Sequence, residues 1–452
     1  MLTSLRCQNF RCFADTGHIE LAPLTLLVGE NNSGKSSIIQ ALHILALTRQ
    51  SEDPGIYLLL QHEDYDYGSY EDLVFRHEST RSVDLTIGVV EDRMEYRLPA
   101  GLKQLRGSVQ LIYSYLPKRK EVYLSRMVLR DEHQSAEDSG RWEVSQRAYR
   151  RSPHMQVNIR GHEYDASYIS RLFVRNQSTL VPKVGPYECY ERLKSHYDKD
   201  EETKRVLVEL FFGINLMGAF ERSLKLVRHL GPLRLAPKRM YSYSGEIADW
   251  VGTKGERAPG IFSALLKQAT EESKTRVERI TKALCQLRFI KSFSAQHYPR
   301  HYELWTEHNE SGMKANLADT GFGASQVFPV IVSLVTSRPG STLLYEQPEI
   351  HLHPAAQAEL GSVFAEACSD DKRVIVETHS ENLILRVQRE VAQGTLTPEQ
   401  VRIYYVKPDP DGHQVMHIPL DKKGAFLEKW PKGFFEEAYR ESVELSRARR
   451  GA

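Results

Sequence analysis

Eight residues near the start of the chain, Gly29-Glu30-Asn31-Asn32-Ser33-Gly34-Lys35-Ser36, follow the pattern G-x-x-x-x-G-K-[ST] in full. In such a turn the backbone N–H groups point inward and, with the N-terminus of the next helix, form a cradle for anions. A lysine at position 35 reaches the β- and γ-phosphates of a nucleoside triphosphate, and a hydroxyl at position 36 ligates its Mg²⁺. The expected cofactors are therefore ATP and Mg²⁺, held by Gly29, Asn31, Asn32, Ser33, Gly34, Lys35, Ser36 and Ser37.

Three further groups of residues complete the chemistry. In Leu343-Leu344-Tyr345-Glu346-Gln347-Pro348-Glu349 an apolar run ends in acids, where parallel sheets place their ligands. Glu346 takes the metal side, so Mg²⁺ is expected on Ser36 and Glu346. Gln347 follows it, and a neutral amide positions a water but cannot accept its proton. Either Glu349 is the base, or hydrolysis is slow and the ATP state long-lived. In Glu377-Thr378-His379-Ser380 the imidazole of His379 closes a strand, where it can bond the γ-phosphate. The last group, Asp319 to Gln326, sets Gly321 and Gly323 before an apolar helix, a second surface for anions. Since the chain already has a phosphate loop, this surface is expected to cap the γ-phosphate held by another copy. ATP then joins a head-to-tail homodimer; a plain helix-capping turn is the other reading.

The elements that position these groups are of α/β type. Leu24 to Val28 reads as a strand buried on both faces, and Ser36 to Leu45 as the helix after the loop. Val83, Leu85, Ile87 and Val89 alternate, as in a strand over 83–98. The stretch 100–310 reads as an inserted α+β region, with strands near 108–116, 120–129 and 155–160 and helices near 187–228 and 260–286. From 315 onward α/β elements return: a helix from about Ser325, the strand Thr342 to Tyr345, a helix from Pro354 to Ala367 and the strand Arg373 to Val376. Domains are accordingly expected at 1–99 and 311–452, two lobes of one head, with 100–310 between them as lid and partner or DNA contact.

Bulk properties narrow the class. The chain has 452 residues, 41% of them apolar and 26% charged, the profile of a globular protein. No apolar run approaches the length of a membrane span, and Arg6, Gln8, Asn9 and Arg11 break up any signal-peptide core. Cys7, Cys12, Cys189, Cys285 and Cys368 form no CxxC pair, which suits a reducing cytoplasm. The net charge of +1 gives no sign of a polyanion partner. Between Ala100 and Arg160, twelve Lys/Arg face six Asp/Glu, with tracts at Lys118-Arg119-Lys120 and Arg147 to Arg151. Such tracts read first as a solvated face. Contact with double-stranded DNA or other nucleic acid, with Tyr113, Tyr115 and Tyr149 stacking, is the alternative. His351-x-His353 lacks a third zinc ligand at suitable spacing. Asp409-x-Asp411, in PDPDGH between two apolar stretches, reads as a hairpin turn rather than paired nuclease acids.

The set and its order resemble a known group. Asn9-Phe10-Arg11-Cys12-Phe13 and GENNSGKSS resemble the start of RecF, SMC and overcoming-lysogenisation-defect ATPases. GFGASQVFPVIVSL is similar to their ABC signature, EQPEIHLHP to their Walker B and D-loop region, and ETHSE to their switch histidine. HLGPLRLAPKR and Trp430 to Phe435 resemble a narrower prokaryotic group of AAA-type ATPases with a short C-terminal domain. The resemblance implies an ABC-type P-loop ATPase head, mixed sheet plus helices. It implies that Arg11 lies near the nucleotide, that Ser325 and Gln326 act across the dimer, and that Pro354 follows the D-loop. Gln61 is a candidate for the Q-loop residue. Gln347 stands where the group usually has a glutamate base. The resemblance further implies a switch that controls an effector encoded nearby, in antiviral defence; an ATP-clamped scaffold is the alternative.

Overall fold

The computed structural model describes residues 1–51, 57–62, 64–91, 104–132, 141–146, 155–159, 162–165, 173–176, 179–182, 201–242, 248–268, 270–288, 290–308, 311–428, 430, 444 and 447. They form two units. The first comprises Met1–Leu21, Ser37–Val227 and Pro408–Val415, and the second Ala22–Ser36, Arg228–Lys407 and Met416–Ala452.

The first unit is built on an antiparallel sheet. Its order is His162–Asp165, Met155–Ile159, Arg141–Gln146, Glu121–Asp131, Leu105–Leu116, Val83–Glu91, Leu2–Phe10 and Phe13–Asp15, with Ile19–Glu20 also on Leu2–Phe10. The alternation predicted from Val83 onward holds, since Val83, Leu85, Ile87 and Val89 are all fully buried. Alternate side chains share a face, so their cross-strand partners are buried too: Leu85 opposes Leu111, and Val83 opposes Tyr113. Tyr113 is thus a core residue, and Tyr115 stacks on Tyr70 at 5.3 Å. The buried ring of Tyr113 has no free face for a base, which corrects the stacking role for that residue; Tyr115 is half-buried. Lys118-Arg119-Lys120 is the exposed turn between Leu105–Leu116 and Glu121–Asp131. Arg147 to Arg151, Tyr149, Cys189, residues 187–200 of the helical stretch and Pro431 to Phe435 lie outside the described residues. The sheet crosses residue 99, joining N-terminal strands to those of the middle.

The second unit holds the site. A six-stranded sheet runs in the order Val227–Leu230, Thr342–Glu346, Arg373–Glu377, Leu24–Gly29, Val401–Lys407, Gln414–His417. Its four inner strands are parallel. Leu24–Gly29 and Thr342–Glu346 are buried along their whole length, as strands covered on both faces must be. The helices include Ala258–Gln268, Glu271–Gln286, Phe322–Thr336, Pro354–Ala367 and Glu381–Ala392. Phe262, Phe293 and Phe328 meet at ring separations of 4.8–5.8 Å in the core. Among the described residues no helix is long and apolar enough to cross a membrane.

Local chemistry sets the helix starts. His353 caps Pro354–Ala367, its Nδ1 accepting from the Ala355 N–H at 3.3 Å, and Pro354 fills the first helical position. Ser380 caps Glu381–Ala392 by accepting from the Leu383 N–H at 3.1 Å, while its hydroxyl donates to Gln357 Oε1 at 2.7 Å. Ser380→Ala removes both bonds and is expected to cost about 1–2 kcal/mol, read as a lower urea midpoint at unchanged slope. An unchanged midpoint would mean that the helix needs no such cap. The acids of PDPDGH form a turn, as read from the sequence. Asp409 accepts from the Asp411 N–H at 2.9 Å and from Gln414 Nε2 at 3.0 Å.

Candidate functional site

The phosphate loop leaves the end of Leu24–Gly29 and enters the helix Lys35–Gln50. Gly29 has φ +145°, and a Cβ there would lie 2.4 Å from the Val406 carbonyl oxygen on the neighbouring strand, so no side chain fits. Asn31 and Asn32 are exposed and Ser33 is buried. Lys35 folds back into the loop. Its ammonium donates to the carbonyls of Gly29 at 3.1 Å and Glu30 at 2.6 Å, and to Ser33 Oγ at 3.4 Å. Burial lowers its pKa, opposed by the charges of Glu377 and Glu30.

Arg373–Glu377 lies between the loop strand and the strand of the acids. Parallel pairing sets Glu377 beside Glu346 in register, so both carboxylates end their strands at one level. The Ser36 hydroxyl donates to Glu377 Oε2 at 2.7 Å. Burial pushes the Glu377 carboxyl up to about 7; Ser36 and Lys35 oppose the rise, and Glu346 and Glu349 add to it. Glu346 is engaged on its other side, with Oε1 2.6 Å from His229 Nε2. Arg234, also buried, donates from Nη2 to the carbonyls of Glu346 at 3.0 Å and Gln347 at 3.4 Å.

Gln347 sits on a turn with φ +45°, a left-handed conformation unusual for glutamine. Its N–H donates to the Glu377 carbonyl at 2.9 Å, tying the two strand ends together. Glu349 is bound by its surroundings: Oε1 accepts from Thr378 Oγ1 at 2.7 Å and from the His379 N–H at 2.9 Å. Burial raises its pKa. The imidazole of His379 has its pKa lowered, by burial first and by the Lys35 charge second. It is therefore a neutral ring near pH 7, able to donate one N–H.

The remaining predicted residues fall in several places. Gly321 is the N-cap of Phe322–Thr336, and a Cβ on Gly323 would lie 2.9 Å from the His351 carbonyl oxygen, so the second glycine admits the turn at His351. Ser325 and Gln326 are buried on that helix. Arg11 and Ser37 belong to the first unit. Arg11 has φ +50°; its N–H donates to Leu73 O at 2.6 Å and its guanidinium to Tyr67 O at 3.2 Å. Ser37 hydrogen-bonds the Cys12 thiol. Gln61 is exposed on the short ribbon Gln61–His62 with Tyr65–Asp66.

The second unit thus brings together Lys35, Ser36, Glu346, Gln347, Glu349 and His379. It adds three residues to which no role was given from sequence: Glu377, His229 and Arg234. For Glu377 a signal existed, a carboxylate ending an apolar strand just as Glu346 does. His229 lies 117 residues from Glu346, and no spacing announces that pair.

A buried parallel sheet with an additional strand between phosphate loop and acids defines a P-loop nucleotide-binding fold. Sequence families agree. Residues 1–96 match an AAA ATPase domain family, and residues 201–386 match an AAA domain family named for an AbiEii toxin of a type IV TA system. Residues 396–445 match a family described as protein of unknown function (DUF3696). Matches to AAA ATPase families thus cover residues 1–96 and 201–386, the second of them including part of the stretch 100–310. Comparison with curated proteins finds no match. Similar solved structures include an Smc head bound to the C-winged helix domain of ScpA, at 12% identity and TM-score 0.43, covering 93% of this chain and 98% of that one. The Smc head with an extended coiled coil bound to the C-terminal domain of ScpA, from Pyrococcus furiosus, shows 10% identity and TM-score 0.42, with 98% and 99% covered. The SMC head domain from Thermotoga maritima shows 12% and 0.37, with 93% and 99% covered.

Proposed function

We propose that the chain binds ATP with Mg²⁺, hydrolyses it slowly, and closes two copies head to tail on the bound nucleotide, so acting as a switch on a partner. The observation that carries this is the loop with Lys35 turned onto its own carbonyls and Ser36 on a carboxylate. Those carbonyls are acceptors that phosphate oxygens replace, and the residues fit a magnesium nucleotide. Lys35 and the loop N–H groups would hold the phosphates, while Ser36 with the strand-end acids would hold the metal. Magnesium, when bound, neutralises charge on the β- and γ-phosphates. His379 would donate its N–H toward the γ-phosphate, and Gln347 would orient water without taking its proton. Gly323, Ser325 and Gln326 belong to the helix start that would face a partner copy's nucleotide, and the resemblance makes Arg11 a further candidate for binding the nucleotide. The stretch 100–310 is the region for contact with an effector or double-stranded DNA, and the resemblance to defence ATPases supports an antiviral setting.

One observation favours the second reading, an ATP-clamped scaffold. Glu349, the alternative base, has its Oε1 held by Thr378 and His379, which leaves Oε2 alone without a hydrogen-bond partner among the described residues. Gln347→Glu decides between slow enzyme and clamp. Supplying a carboxylate at that turn is expected to raise ATP turnover by roughly 10²-fold, measured as phosphate release. Unchanged turnover would remove position 347 from the water's path. Mass in solution with and without ATP and DNA tests the dimer; a monomer under every condition would exclude the head-to-tail closure.

A further inference from the structure

We propose that Glu377, not Glu346 alone, supplies the carboxylate that binds the divalent cation beside Ser36. This rests on the reading of the loop as a magnesium–nucleotide site and adds a ligand to it.

Topology makes the first argument. Glu377 and Glu346 are paired in register on parallel strands, and the strand of Glu377 is the one that touches the loop strand. Neighbouring strands lie about 4.8 Å apart, so Glu377 stands one strand nearer the loop than Glu346 does.

Hydrogen bonding makes the second. Ser36 Oγ and Glu377 Oε2 are 2.7 Å apart. Adjacent oxygens in a magnesium shell, each about 2.1 Å from the ion, sit at nearly that separation. A cation that displaces the hydroxyl proton's bond could touch both without backbone movement. Glu346 has a different partner, His229 Nε2 at 2.6 Å, and its main-chain carbonyl is held by Arg234. The exchangeable contact therefore belongs to Glu377, while Glu346 is anchored from the far side.

Burial makes the third. Glu377 is 4% exposed and follows Val374, Ile375 and Val376 on a strand that packs on both faces. Glu346 and Glu349 are buried with it, and Glu349 Oε2 has no hydrogen-bond partner among the described residues. Buried carboxylates are costly unless paired or bound to metal. Lys35 and Arg234 are the neighbouring cations, and a divalent ion between Ser36 and Glu377 offsets the remaining charge.

The test uses the full chain, Mn²⁺ as the probe and ADP as nucleotide, with bound Mn²⁺ read by its electron paramagnetic resonance signal. Glu377→Gln is expected to weaken Mn²⁺ retention on the ADP-loaded protein at least tenfold, while ADP affinity in EDTA stays within twofold. If Glu377→Gln proves unstable, Glu377→Asp, which keeps the charge but withdraws it by one methylene, is expected to show a loss of at least threefold. Mn²⁺ retention within twofold of wild type in the folded variant, with loss in Glu346→Gln, would overturn the assignment and leave Glu346 as the ligand. A wild-type chain that binds neither ADP nor Mn²⁺ would instead overturn the nucleotide-site reading itself, a separate and distinguishable failure.

Discussion

Lys35→Ala is expected to lower ATP turnover by roughly 10²–10³-fold and to abolish retention of nucleotide through gel filtration. The ammonium is the one cation that the loop turns inward, and it reaches the Gly29 and Glu30 carbonyls from the first turn of the helix. Alanine keeps the helix but leaves the phosphates without a counter-charge where they would enter. The fold should survive, since Glu30 is exposed and only the Gly29 carbonyl is left buried without this donor, a cost of about 1–3 kcal/mol. Melting within a few degrees of wild type, together with lost turnover, is therefore the expected pair of results. Turnover above a tenth of wild type would mean that the phosphates are bound elsewhere, and the proposed function would fall with it.

The second large effect concerns stability. Arg234→Ala should destabilise the protein by about 3–5 kcal/mol, read from the denaturant midpoint. Burial pulls the guanidinium down to about 10, with Glu349 the first of the acids opposing that shift. It therefore stays charged at neutral pH, and its removal exposes two effects at once. The carbonyls of Glu346 and Gln347 lose their donor, and buried Glu349 loses its nearby positive charge. The turn they belong to is already strained at Gln347. Arg234→Met separates the causes, since it keeps most of the buried stem and loses only the charge and the bonds. If Arg234→Met is as stable as wild type, packing is what the arginine contributes, and the charge argument is wrong.

Much of this arrangement was legible beforehand, for reasons that differ by element. The loop, the acids and the histidine each sit at the end of a short apolar run, and such runs are visible locally because a strand covered on both faces admits no polar break. The alternation from Val83 to Val89 marked a strand just as plainly. The face that Tyr113 takes is not legible locally, because its own stretch looks amphipathic; only its pairing with Val83 shows that the ring is buried. His353 and Asp409 carried ligand-like spacings and are spent on a helix cap and a turn. His229 and Arg234 come from a segment with no periodicity, and their value depends on strands more than a hundred residues away. Long-range contacts of that kind leave no trace in spacing. Glu377 ends an apolar strand just as Glu346 does, and that shared position is the one local signal of its place in the site.

The order in which the ribosome delivers these parts has a consequence. Ser36 and Glu377 are 341 residues apart in the chain, and Leu24–Gly29 finds both its neighbours in Arg373–Glu377 and Val401–Lys407. At synthesis rates of roughly 5–20 residues per second, the loop strand waits about 20 seconds to a minute before either edge can be covered. During that interval an apolar strand built for burial on both faces stands unpaired, a template for wrong pairing with other nascent chains. The site is thus completed last although its first residues are made almost at once. Chains that stop short of Val401 would hold a phosphate loop in sequence but lack one of the two strands that flank it. Such fragments are expected to be insoluble rather than partially active.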